Sequence, residues 1–250
     1  VKFYLGSHHA SQRWFDLDVP LFVSRRVLTA RKRLPLARES WALDSGGFTE
    51  LSLYGEWRTT PVVYAADVRR FAQEIGRLDW VAPQDWMCEP FMLEKTGLTV
   101  REHQQRTVDN FMRLRDLLGS FVTPVLQGWT LDEYLRCADL YFAAGVDLYH
   151  EPVVGLGSVC RRQNTYEAGK IVRDLSDLRL HYFGAKITGL GNFADALTSA
   201  DSMAWSYRAR HDTPLPGCTH KSCANCPRYA MRWRDHVLNL LAQERLEVAA

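Results

Sequence analysis

The segment WALDSGGF, residues 41–48, has the shape of a buried strand that stops abruptly. Trp41, Ala42 and Leu43 are apolar, Asp44 is ionisable, and Ser45, Gly46 and Gly47 leave almost no side-chain volume before Phe48. A carboxylate at the lip of an apolar strand is either a turn-former or part of a site. Similar short apolar or β-branched runs recur at 1–6 (VKFYLG), 21–24 (LFVS), 80–85 (WVAPQD), 122–128 (VTPVLQG), 147–155 (DLYHEPVVG), 180–187 (LHYFGAKI) and around 199–205 (SADSMAW). Between many of them the periodicity is helical. Tyr64, Val68, Phe71, Ile75 and Leu78 form one apolar stripe across 62–78. The segment 99–119 ends on the stop signal Gly119, and 130–145 opens on a Thr130 cap followed by Asp132 and Glu133. A further helix is expected at 164–178. Roughly eight strands alternating with helices predict an α/β fold, a (β/α)8 TIM-type barrel, because parallel strands need helical crossovers. An open doubly wound sheet is the alternative. There is no G-x-G-x-x-G after the first strand, no P-loop and no internal repeat.

The length of 250 residues suits one large domain, and 46% hydrophobic with 24% charged residues is ordinary for a soluble globular protein. No apolar run reaches the roughly 18–20 residues of a membrane span, and the N-terminus has no signal-peptide pattern, so a cytoplasmic location is expected. A formal net charge of +2 does not by itself imply a polyanion partner. Arg25-Arg26, Arg31-Lys32-Arg33 and Arg161-Arg162 could form local basic patches, although such clusters are more often just solvated faces.

In a barrel the site lies at the C-terminal ends of the strands. The polar residues at those ends are Asp44, Asp85 after VAPQ, Gln127 after TPVL, the Gly155-Leu156-Gly157 turn after EPVV, Lys186 in GAKI, and Asp201 in SADSM. A single strand-end Asp often only caps the next helix. Several together, each following an apolar strand, point to one polar rim.

These same motifs carry a resemblance. LDSGGF, QDWMCEP, VLQGW, VVGLGSV and ADSMAWSYRAR, followed by a cysteine-rich segment running into CPRYAMRW, resemble the tRNA-guanine transglycosylase superfamily in that order, over residues 41 to about 233. The resemblance implies a (β/α)8 barrel with a zinc subdomain, and exchange of guanine for a 7-deazaguanine in a nucleic acid without strand cleavage. Such an exchange at C1′ suits double displacement, with a carboxylate nucleophile and a second group that moves a proton to and from the base. By resemblance, Asp201 matches the nucleophile and Asp44 the general acid/base. Asp85 resembles the residue that accepts from the guanine N1–H and 2-amino edge, and Gln127 the one that donates to O6. Ser45, Gly46, Gly47 and the Gly155-Leu156-Gly157 turn are expected to contact substrate, the glycines allowing a flat base to come close. Asp201 precedes Ser202-Met203-Ala204, where the family has a Cys-Val pair, and the following Arg comes at Arg208. Asp147 and Asp195 are therefore its competitors.

Of the six cysteines, Cys88, Cys137 and Cys160 are isolated, whereas Cys218, Cys223 and Cys226 crowd around His220. In an intracellular chain this C-x-H-x2-C-x2-C pattern points to a tetrahedral, structural Zn2+ with no open position. The family uses C-x-C-x2-C and a distant histidine, which makes His236 the rival fourth ligand. A helix starting at Pro227 would carry His236 about 15 Å from Cys226, so His220 is favoured. The expected division is a barrel over 1–210 and a zinc-binding segment with a C-terminal helix over 211–250.

Compactness and ADSMAWSYRAR resemble the DNA-modifying branch typified by phage and bacterial enzymes. That branch implies DNA as polymer partner and a free 7-deazaguanine such as preQ0 as incoming base. tRNA is the alternative polymer, and a hydrolytic glycosylase or a non-catalytic zinc-containing binding protein are the alternative activities. A duplex would need its guanine flipped out. Trp86, Trp129 and Trp205 are candidates for stacking, and Arg161, Arg162, Arg208 and Arg210 for phosphate contacts.

Overall fold

The structure, a computed structural model, describes residues 1–160, 162 and 165–248. Its elements in chain order are β1 (Lys2–Ser7), α1 (Gln12–Phe15), β2 (Leu21–Ser24), α2 (Arg25–Thr29), β3 (Trp41–Asp44), α3 (Gly47–Tyr54), α4 (Pro61–Ile75) and β4 (Leu78–Val81). Then come α5 (Pro90–Thr96), α6 (Val100–Leu118), β5 (Val125–Leu126), α7 (Leu131–Ala143), β6 (Val154–Leu156) and α8 (Tyr166–Asp174). The chain closes with β7 (Leu180–Tyr182), α9 (Ile187–Phe193), β8 (Ser199–Ser202), α10 (Ala204–Arg208) and α11 (Pro227–Val248).

All ladders are parallel, and the strand order β4-β3-β2-β1-β8-β7-β6-β5 makes a curled sheet of 8 strands. The decisive pairing is β8 with β1, from Lys2↔Ser199 to Leu5↔Ser202, which joins the two ends of the chain as a TIM-type barrel does. An open doubly wound sheet would not pair them. The seam lies between β4 and β5, where the contact is one parallel bridge, Val81↔Val122, with the Thr123 N–H donating to the Val81 carbonyl at 3.0 Å.

Local chemistry explains most boundaries. Thr60 caps α4 ahead of Pro61, and Thr99 with Glu102 and Thr130 with Glu133 form full capping boxes on α6 and α7. Tyr64, Val68, Phe71 and Ile75 are buried as one stripe, but Leu78 belongs to β4. The helix stops before it because Gly76 (φ 73°) and Arg77 (φ 53°) turn the chain. The run at 80–85 ladders only to Val81, since Pro83 follows, and 147–155 ladders only from Val154, its start being a turn in which His150 pairs with Asp147. The expected helix at 164–178 is α8, and residue 164 lies outside the described residues.

Alternation along the strands sorts two layers. Phe3, Leu5, Leu21, Val23, Trp41, Leu43, Leu180 and Tyr182 face the helices in the main core. Tyr4, Phe22, Ala42 and Trp80 form a separate cluster in the lumen with Ala82, joined by Phe183 and Val153. Two residues on from Ala42, on the same face, the chain places Asp44. The same step from Ser199 places Asp201.

Candidate active site

At the C-terminal end of the barrel lies a cavity of about 350 Å³. Asp44, Asp85 and Asp201 all line it, with Ser45, Gly47, Gly157 and Ser158, and its apolar walls are Phe22, Met87, Phe183 and Met203. The rival carboxylates are elsewhere: Asp147 sits in the exposed turn with His150, and Asp195 is exposed before β8.

Burial of Asp44 and Asp85 in one cavity disfavours their charged forms. Desolvation raises the Asp44 carboxyl above the usual range, and the Asp201 charge adds to this, against opposing hydrogen bonds from Ser24 and the Gly46 backbone. Burial, with the Asp44 charge, pushes Asp85 up to about 7. Asp201 is oriented from behind, its Oδ1 accepting the Gly184 N–H at 2.8 Å.

One wall of the cavity is a continuous hydrogen-bond network. Ser45 Oγ donates to Asp85 Oδ1 at 3.3 Å, and Gln127 Nε2 donates to Asp85 Oδ2 at 2.6 Å. The Ser158 hydroxyl donates to Gln127 Oε1 at 2.6 Å and accepts the Cys88 N–H at 2.7 Å. Ionised Asp85 only accepts, so in that form the amide nitrogen of Gln127 faces it. Gln127 has no exposure itself and stands behind Asp85. Ser158 holds a left-handed backbone, φ 55°, a conformation that costs a non-glycine residue about 1–2 kcal/mol. Such strain persists where the surroundings over-determine it, as at a built site.

The bare stretches serve the protein's own packing as well as the cavity. Gly46 takes φ 80° at the turn into α3, against Arg26. A Cβ on Gly47 would meet Trp57 at 2.7 Å, and Trp57 in turn donates its Nε1–H to the Asp85 carbonyl at 3.0 Å. Gly155 and Leu156 lie in β6, not in a turn. Leu156 packs into the core, and a Cβ on Gly155 would strike Phe183 at 2.6 Å. Only Gly157 of the three lines the cavity, and a Cβ there would lie 2.3 Å from Gln127 Nε2.

Several other expected contacts fall outside. Arg208 is exposed on α10 and lines a different cavity of about 400 Å³ with Asp212, Tyr229 and His236, pairing with Asp212 at 3.5 Å. Trp86 is buried under Arg106, whose guanidinium lies 4.6 Å from the ring, and Trp205 donates to the Gly6 carbonyl from the core. Trp129 lies beneath Arg162 at 4.3 Å. Arg210 is exposed beyond α10, Lys186 stands at the N-cap of α9, and Arg161 lies outside the described residues. Sequence reasoning missed Ser158, Glu89, His8 and Cys160, all of which line the cavity. Only the polar run Ser7-His8-His9 at the end of β1 carried a signal of the same kind as Asp44.

A family model described as DpdA, DeoxyPurine in DNA protein A, matches residues 1–247. The chain belongs to the DpdA family. This family is the branch of transglycosylase-like enzymes that inserts 7-deazaguanines into DNA. No curated protein matches the chain.

The DpdA-family chain carries one further cluster. The ligand atoms of Cys218, His220, Cys223 and Cys226 all lie within 4.8 Å of one another, with His220 Nε2 3.1 Å from Cys223 Sγ. Three thiols and an imidazole at this spacing fit a tetrahedral ion such as zinc. The Leu215 N–H points at Cys223 Sγ at 3.3 Å, a contact of the kind that supports a thiolate ligand. His236 lies on α11 and lines the separate Arg208 cavity instead. No helix among the described residues is long and apolar enough to cross a membrane.

Proposed function

We propose that this chain replaces guanine in DNA by a 7-deazaguanine such as preQ0, by double displacement with Asp201 as nucleophile and Asp44 as general acid/base. The observation that carries the reading is the sharing of one cavity by Asp44, Asp201 and the Asp85 network. Asp44, its proton held by burial and the neighbouring Asp201 charge, protonates the departing guanine. Asp201 attacks C1′ and forms a glycosyl ester, which the incoming base opens from the face that guanine left, opposite Asp201, after giving its proton to Asp44.

Asp85 and Gln127 select the base. Asp85 accepts the adjacent N–H donors of the base, and Gln127, behind it, holds that carboxylate in place; a base with another edge leaves buried groups unpaired. Ser45, Gly46, Gly47 and Gly157 shape the approach, and Gly155, Leu156 and Arg208 act only at a distance from the base. Residues 1–210 form the barrel and 211–250 the zinc-binding segment. Cys218, His220, Cys223 and Cys226 hold a structural zinc that cross-links this segment and supplies no chemistry to the exchange.

The test is incubation with guanine-labelled DNA or tRNA plus preQ0, followed by nucleoside mass spectrometry. Asp201→Asn and Asp201→Ala are expected to fold and to lose exchange. Normal turnover by folded Asp201→Asn would remove Asp201 as nucleophile.

A further inference from the structure

Asp201 has a neighbour that no reading of strand ends would collect. His181, the middle residue of β7, faces the lumen and is fully buried. Tyr4, Phe22, Trp80 and Phe183 box its ring, with centroids 5.9, 5.6, 4.7 and 4.8 Å away. Its Nδ1 lies 2.9 Å from Ser199 Oγ, and its Nε2 lies 3.4 Å from Asp201 Oδ1. Nε2 makes no completed hydrogen bond, and Asp201 Oδ1, at 3.4 Å, is the acceptor that lies beside it.

An aromatic box needs only a ring to fill it, and burying two ring nitrogens there costs free energy unless they are bonded. Burial lowers the His181 pKa, so the ring is neutral and carries one N–H. Ser199 can donate to Nδ1, whereas the Asp201 carboxylate can only accept. The proton therefore sits on Nε2, facing Asp201.

We propose that His181 is a positioning residue for the nucleophile: with the Gly184 N–H it clamps Oδ1 of Asp201 and leaves Oδ2 as the oxygen that attacks C1′. This rests on the reading of Asp201 given above. As the Oδ2–C1′ bond forms, the C1′–N9 bond breaks; its electron pair stays on N9, which takes the proton of Asp44. Oδ1 becomes the ester carbonyl, facing the same two donors. In the second half, Asp44 accepts the N9 proton of the incoming base, N9 bonds to C1′, and the Oδ2–C1′ bond opens. The charge returning to Asp201 is shared by Oδ1 and met by donors already in place. The 3.4 Å separation closes with a small shift, as contacts of this kind tighten in the reacting complex.

The experiment is single-turnover release of labelled guanine from duplex DNA in the presence of preQ0, alongside the preQ0 KM and recovery of the covalent protein–DNA adduct. His181→Phe fills the box without the N–H, and His181→Gln restores an N–H at similar reach. His181→Phe is expected to slow release and adduct formation roughly 10- to 100-fold, with the preQ0 KM unchanged, and His181→Gln to recover most of the loss. Wild-type release by folded His181→Phe overturns the proposal, as does a loss that Gln does not restore. If His181→Phe fails to fold, His181→Met, which fills the box without an N–H, must slow release in the same direction; an unchanged rate then overturns it. Turnover by Asp201→Asn would bring down the nucleophile assignment itself, whereas inactive Asp201→Asn beside fully active His181→Phe removes only the role of His181.

Discussion

Gly157→Ala tests whether the base-reading wall is as tightly built as its contacts imply. The new Cβ would lie 2.3 Å from Gln127 Nε2, 2.6 Å from Cδ and 2.7 Å from Oε1. Gly157 has no left-handed backbone, so the penalty is steric and not conformational. The amide cannot swing clear without giving up a 2.6 Å bond, to Asp85 at one end or Ser158 at the other. Overpacking alone costs about 1–3 kcal/mol, and one buried bond left unmade adds about 1–3 kcal/mol, for a total of roughly 2–6 kcal/mol. In a chain of this size that lowers the melting temperature by roughly 4–24 °C. Urea unfolding followed by tryptophan fluorescence measures the loss directly. In a Gln127→Ala background the obstructing amide is gone, and the same Gly157→Ala change should cost under about 1 kcal/mol. Equal costs in the two backgrounds would refute the argument, because the clash with Gln127 would then not be its source.

Three further outcomes are expected. Only ionised Asp85 accepts two base donors, and its carboxyl titrates at about 7, so preQ0 affinity should fall as pH drops below 7, by up to tenfold per unit, and level off above it; Asp85→Asn should flatten that profile, and an unchanged profile in the variant would assign the titration elsewhere. Purified protein should hold about one zinc per chain, lost in His220→Ala and kept in His236→Ala, and chelation should lower the melting temperature far more than the exchange rate of the surviving fold. Exchange should proceed in DNA and not in matched tRNA, with DNA binding that weakens only shallowly as salt rises, since the net charge is +2; exchange confined to tRNA would overturn the choice of polymer.

The sequence by itself determined what depends on near neighbours. Three thiols and a histidine within nine residues close on one another almost regardless of the surrounding fold, and the ligand set is readable from spacing. Thr99 with Glu102 and Thr130 with Glu133 announce their helices within one turn. Asp44 was legible because it ends an apolar run and Asp201 because it stands in a motif that resembles the family's, and alternation puts each on one face of its strand. What only tertiary structure decided depends on register between distant strands. Gly155 and Leu156 read as a turn, yet they pair with Val125 and Leu126 and with His181 and Tyr182. Ser158 meets Cys88 from 70 residues away, and a lone histidine inside an apolar run gave no sign that β7 would lie beside β8 and aim it at Asp201. A parallel ladder fixes side-chain neighbours by how the strands slide past one another, and that offset is set by packing of the whole barrel, not by any local pattern of residues.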